Sequence, residues 1–400
     1  MNQTPPAKPS HLPRLDALRG LAIILVFVYH LVYAGYHRDQ LEWSGLFRDF
    51  RSPGDKTFFL FYPATFGWAG VCLFFVLSGF VIHYSFLSSS RPFSTGGFYW
   101  RRFWRIYPPY LIALVVCAVI RRPHPPGFAR DFISHLVLVH NWSSSHFFGI
   151  NGAFWSIATE MQFYAVYPLM LWLRRRFGIS VVLRLALLVS LASTVMAVAI
   201  EPDISPEPVT CLLAMPLITW FDWVLGAFIA ERFYRGQRWM PDDRRILGGL
   251  AVLGVVITFF RPTSVLSFTI TSVACAVFLE RLIWKVGSLS RLERWLIPAG
   301  LWSYSFYLWH VPPMLVAALI LQRFGFTPVR YVVLAGPFLL VFILMFSRMM
   351  FRLVEARCTK MGACAASLAS RYFGEGRRTG PAPHAAPVSM SDPQQLTALL

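Results

Sequence analysis

RLDALRGLAIILVFVYH, residues 14–30, passes from a basic, helix-starting segment into an apolar run, with Arg19 near one end and His30 near the other. The run continues to about residue 35, close to the roughly 20 residues a helix needs to cross a bilayer. It reads as a membrane helix with ionisable groups inside it. Eleven steps of 100° return the two side chains to within about 20° of one face, and 1.5 Å per residue sets them about 16 Å apart. One helix thus holds a fixed cation near one surface and a titratable ring well inside. Two readings stand. Either the arginine snorkels and the histidine bonds a neighbouring helix, or both serve a functional path, the default for ionisable residues within membranes. Asp16, three residues before Arg19, can pair with it or act as a helix-start carboxylate.

The rest of the chain fits a membrane setting. Of its 400 residues 56% are hydrophobic and only 14% charged, more apolar surface than one water-soluble core hides. About ten segments read as spans: 17–35, 66–87, 106–120, 154–173, 179–200, 211–231, 245–261, 264–284, 298–322 and 328–350. The expected fold is all-α, a polytopic integral membrane helical bundle. These runs lack the period-two alternation of a strand barrel. In DFISHLVLVH, residues 131–140, the apolar stretch is too short to cross, so it lies at the interface or dips back.

The formal charge of +18 raises nucleic acid as a partner, but its distribution argues against one. The basic residues flank spans: RRFWR at 101–105, RRR at 174–176 and the Arg-rich 232–245 fall on one side, whereas EPDISPEPVT at 201–210 has none. This bias puts both termini in the cytoplasm and sets an even number of spans. The cysteines at 72, 117, 211, 275, 358 and 364 lack CxxC spacing and read as small apolar packing residues, not a disulfide or zinc framework. With no small-residue cleavage site after it, the first span reads as an uncleaved anchor. Residues 1–13 and 355–400 are expected to be largely disordered tails around a single transmembrane domain, 14–354.

Other segments place chemistry in that bundle. Arg102 and Arg105 lie at i and i+3 before the third span, a pair suited to phosphates or simply to topology. Glu160 in WSIATEMQFY sits one to two turns below an interfacial tryptophan, and a carboxylate there needs a partner. A Glu160–His30 pair would raise the basicity of the ring; a structural clamp is the other reading. Ser78 lies in FFVLSGF without a nucleophile elbow. Tyr304, Tyr307 and His310 in SYSFYLWHVPP precede a proline pair that implies a kink or local cavity.

Taken together LDALRG with Arg19-x10-His30, GVCLFFVLSGFVI, Arg102-x-x-Arg105, WSIATEMQFYAVYP and SYSFYLWHVP, in this order, resemble the acyltransferase-3 family of membrane acyltransferases. The resemblance implies ten membrane helices, a cytosolic acyl-CoA donor (acetyl-CoA foremost), no metal, and transfer to a hydroxyl of an extracytoplasmic carbohydrate or glycolipid. It makes His30 the main catalytic candidate with Glu160 and Arg19 in support, and Arg102 and Arg105 the donor contacts. Ser78, Tyr304, Tyr307 and His310 become substrate or oxyanion candidates. A bacterial inner membrane is the expected location. Some members add a soluble hydrolase-like domain, and none is expected in this sequence. The rival readings are a transporter or flippase of glycans, which would show repeated broken half-helices, and a glycosyltransferase, which would show an ordered pair among Asp39, Glu42, Asp49 and Asp55.

Overall fold

The computed structural model describes residues 12–38, 40–121, 126–200 and 215–374. The acidic segment 201–210, Asp39, Cys211 and residues 375–400 lie outside them.

Helix dominates. α1, Pro13–Tyr36, starts on a proline whose missing N–H costs nothing there and ends where His37 adopts a left-handed φ of 52°. A short hairpin follows, Trp43–Ser44 paired antiparallel with Phe47–Arg48. α2 is Ala69–Ser88, α3 Thr95–Ile120 and α4 the short Phe128–Leu136. α5 is Trp155–Phe177, α6 Ile179–Ile200, α7 Pro216–Tyr234 and α8 Arg244–Val256. α9 is Ser267–Ile283, α10 Arg291–Leu301, α11 Ser303–Trp309 and α12 Val311–Arg323. α13, Gly336–Met350, is flanked by two π-helical turns, and α14 is Ala356–Gly374.

Among the described residues, five helical stretches are long and apolar enough to cross a membrane: Pro13–Tyr36, Phe58–Ser88, Thr95–Ile120, Ile179–Met196 and Pro328–Ala365. α11 and α12, bent by 42°, make a sixth if taken as one broken span. Helix also fills the other expected ranges, but α8 and α9 have 13 and 17 residues, and charged or polar residues interrupt α5 and α7. α14 continues the helix through Gly374, and Gly362 lies against Trp104 of α3, so its first turns are packed rather than tail.

Several close approaches bring backbones together through glycine, two of them reciprocal. Gly79 of α2 faces the Trp223 carbonyl of α7 while Gly226 faces that of Val76, and Gly20 of α1 and Gly300 of α10 meet Leu296 and Asp16 in the same manner. Any β-carbon would collide at these four places, so small residues set the interhelical distance. Between the crossings lies a core that includes Ile23, Val26, Phe80 and Trp223.

The segment after α4 dips back into the bundle. Tyr107 donates to the Leu136 carbonyl and Tyr110 to that of His135, each over 2.9 Å. The amides of Asn141 and Gln162 donate to each other at 3.0 and 2.9 Å. Its tip is therefore held beside α5, two residues beyond Glu160.

Candidate active site

A cavity of about 100 Å³ opens among α1, α2, α3, α5 and α11, and its wall includes Arg19, Ser78, Arg102, Arg105, Glu160, Tyr304 and Tyr307. These residues come from separated stretches of sequence, and the glycine crossings set the spacing that lets them meet. Arg19 pairs with the buried Asp16 at 3.4 Å, so the i,i+3 pairing read from sequence forms. Arg102 lies over the rings of Phe98 and Tyr164, 5.7 and 5.4 Å from their centroids, a stacking that suits guanidinium.

Glu160 does not pair with His30. Its Oε1 accepts from Ser78 Oγ at 2.6 Å and from the Tyr164 hydroxyl in a short bond. Helix geometry explains the difference: Tyr164 lies one turn along α5 on the same face, within reach before any residue of α1.

His30 instead meets His310, Nδ1 to Nε2, at 3.3 Å. His310 is fully buried and its Nδ1 lies 2.8 Å from the Tyr307 carbonyl. A carbonyl only accepts, so Nδ1 carries the hydrogen and Nε2 is an acceptor. His30 Nδ1 lies between that Nε2 and the Val26 carbonyl at 2.9 Å, so it is protonated too. The basic lone pair of neutral His30 is then on Nε2. Neither imidazole lines the cavity; both stand behind Tyr307, whose ring centroid is 5.4 Å from that of His310.

The two tyrosines differ in what their hydroxyls do. Tyr304 donates to the Ile106 carbonyl at 2.6 Å. Tyr307 accepts from Ser156 at 2.7 Å, which leaves its own hydrogen to aim into the cavity. Of the oxyanion candidates, Tyr307 is the available donor.

Sequence inspection passes over Glu355. It is buried in the π turn after α13, accepts from Ser305 at 2.6 Å, and interacts electrostatically with Arg105 and Arg19. Its sole signal is being the only carboxylate between the last span and residue 374. Tyr164 and Trp223 are also missed, because buried aromatics are the commonest filling of any bundle. Among the described residues no group of three His, Cys, Asp or Glu is placed to hold a metal ion.

Guanidiniums and a carboxylate thus line one cavity, with an imidazole pair beyond one of its tyrosines. The sequence settles the class: residues 12–348 match the acyltransferase-3 profile, described as an acyltransferase domain, and the chain belongs to that family. It is similar to acyltransferase MdmB of Streptomyces mycarofaciens, 26% identical over 76% of this chain and 79% of that one. The peptidoglycan O-acetyltransferase OatA of Listeria monocytogenes is 26% identical over 80% of this chain and 52% of its own. The O-acetyltransferase OatA of Staphylococcus aureus is 26% identical over 76% and 51%. The chain spans about half the length of these OatA relatives. No solved structure matches.

Proposed function

We propose that this acyltransferase moves an acyl group, acetyl foremost, from cytosolic acyl-CoA to a hydroxyl of an extracytoplasmic carbohydrate. The observation that carries this is the polarity of the site: Arg19, Arg102 and Arg105 line the cavity, and the His30–His310 pair stands behind Tyr307. Phosphates of the donor suit the guanidiniums, and the thioester extends toward the imidazoles. A water takes about 30 Å³ in the liquid, so the cavity has room for a short acyl group and the end of the pantetheine arm, with the nucleotide outside.

In the step proposed, His30 Nε2 takes the proton from the acceptor hydroxyl as its oxygen bonds to the thioester carbon. Tyr307 donates to the developing oxyanion. The carbon–sulfur bond then breaks, and the departing thiolate receives the proton from His30. Carboxylates Asp16, Glu160 and Glu355 balance the guanidiniums until the donor binds.

A topology of about ten spans with both termini inside a bacterial inner membrane is part of this reading. Loop contacts support it independently of charge. Arg14 at the start of α1 donates to the Lys285 and Gly287 carbonyls at 2.5 and 2.7 Å, joining two segments assigned to the inside. Arg261 N–H donates to the Leu46 carbonyl at 2.8 Å, joining two assigned to the outside. A transporter reading draws no such support from the family match.

The test is His30→Ala. We expect normal membrane insertion, loss of acetyl transfer by roughly 10²-fold or more, and absence of one acetyl group from surface glycans by mass spectrometry. Near-normal transfer by that variant removes His30 from the mechanism.

A further inference from the structure

Trp223 of α7 is fully buried beside the α2–α7 glycine crossing, and its indole Nε1 donates to Ser78 Oγ over 3.2 Å. An indole N–H only donates, so this bond fills one lone pair of Ser78 and leaves its single hydrogen to be given elsewhere. Two acceptors are in reach, Glu160 Oε1 at 2.6 Å and the Tyr164 oxygen at 3.2 Å. The carboxylate is the stronger acceptor and the closer. Tyr164 sends its own hydrogen to the same Oε1. Both donors thus converge on one oxygen. Glu160 Oε2 accepts no hydrogen bond from the described residues, and Glu160 lines the cavity.

We propose that Trp223 is a positioning residue for acyl transfer: by donating to Ser78 it anchors the hydroxyl oxygen that donates to Glu160 Oε1, and so presents Oε2 of Glu160 to the substrate. There Oε2 is an acceptor for an N–H of the pantetheine arm or the O–H of the acceptor. Without the indole N–H, Ser78 loses the bond that anchors its oxygen, and the carboxylate it donates to is held less firmly in orientation. The inference rests on the acyl-transfer reading of the cavity.

The experiment uses the full chain in proteoliposomes, with acetyl-CoA as donor and methyl β-glucoside as surrogate acceptor, following release of CoA thiol. Trp223 is replaced by benzothienylalanine, which keeps the bicyclic shape and puts sulfur where the N–H was; Trp223→Phe is made in parallel. We expect kcat to fall about tenfold, the effect of one positioned hydrogen bond, with the KM for acetyl-CoA within about twofold of the parent. In a Ser78→Ala background the Trp223 replacement should then have no further effect. A folded Trp223 variant with unchanged kcat, or one whose loss simply multiplies with that of Ser78→Ala, overturns the inference while leaving acyl transfer intact. Failure of the unsubstituted protein to release CoA overturns both.

Discussion

His310 holds His30 on one side, its Nε2 lying 3.3 Å from the His30 Nδ1 whose hydrogen the Val26 carbonyl also receives at 2.9 Å. Truncating it removes one of the two contacts that hold the His30 ring in place. We expect His310→Ala to lower kcat about tenfold or more with little change in the KM for acetyl-CoA, as steady-state kinetics will show. Arg102→Ala with Arg105→Ala should do the reverse, raising the donor KM while leaving that of the acceptor unchanged. At this scale several residues named from the sequence meet at one cavity, but the Glu160–His30 pairing it offers does not form. Arg19 with Asp16 is legible because both lie on one helix at a fixed spacing. His30 with His310 is not, because the distance between α1 and the end of α11 depends on packing that no local pattern encodes.

Helices are held in register by features of two kinds, and each has its own signature. At the α2–α7 crossing, Gly226→Val would press a side chain into the Val76 carbonyl; we expect a loss of about 1–3 kcal/mol, read from thermal unfolding in detergent. Around Gly248 in α8 there is open space, with nothing within 4 Å of where a β-carbon would stand, so Gly248→Ala should leave stability equal or raise it by up to about 1 kcal/mol. At the start of α10, Ser290 and Glu293 cap each other, with Glu293 N–H donating to Ser290 Oγ at 3.1 Å and Ser290 N–H to Glu293 at 2.6 Å. Partial burial pushes the Glu293 carboxyl up, but the Ser290 bonds and Lys285 outweigh it and hold the group below the usual carboxylate range. Its contribution is present above that range and lost as pH falls through the lowered value. The difference in stability between parent and Glu293→Gln should therefore shrink in acid. Helix positions are legible throughout from apolar runs; the broken helices, the re-entrant segment and α14 are less so, because tertiary bonds from Tyr107, Tyr110 and Gln162 hold the re-entrant segment and packing against α3 holds α14, neither of which leaves a periodic trace.

For the whole molecule, the proposed sidedness is what would join fold to reaction. Cysteines placed at Gly54 and Gln237, in a background lacking the six native ones, should react with a membrane-impermeant maleimide from outside and from inside respectively. Labelling of both from one side contradicts the alternating topology. Composition and charge make the membrane setting legible, but several helices are shorter or more polar than a lipid-facing span, since helices enclosed by others need not be uniformly apolar.

The bend between α11 and α12 carries a mechanical implication. Pro312 and Pro313 lack the amides that would bond the carbonyls of Leu308 and Trp309, and His310 sits at the break. The imidazole thus rides on a joint whose second arm, α12, is anchored to α1 by Gln322 donating to the Gly35 carbonyl at 3.1 Å. Stretching or compressing the bilayer tilts that arm, and turnover should accordingly track lipid chain length even where the donor's affinity does not.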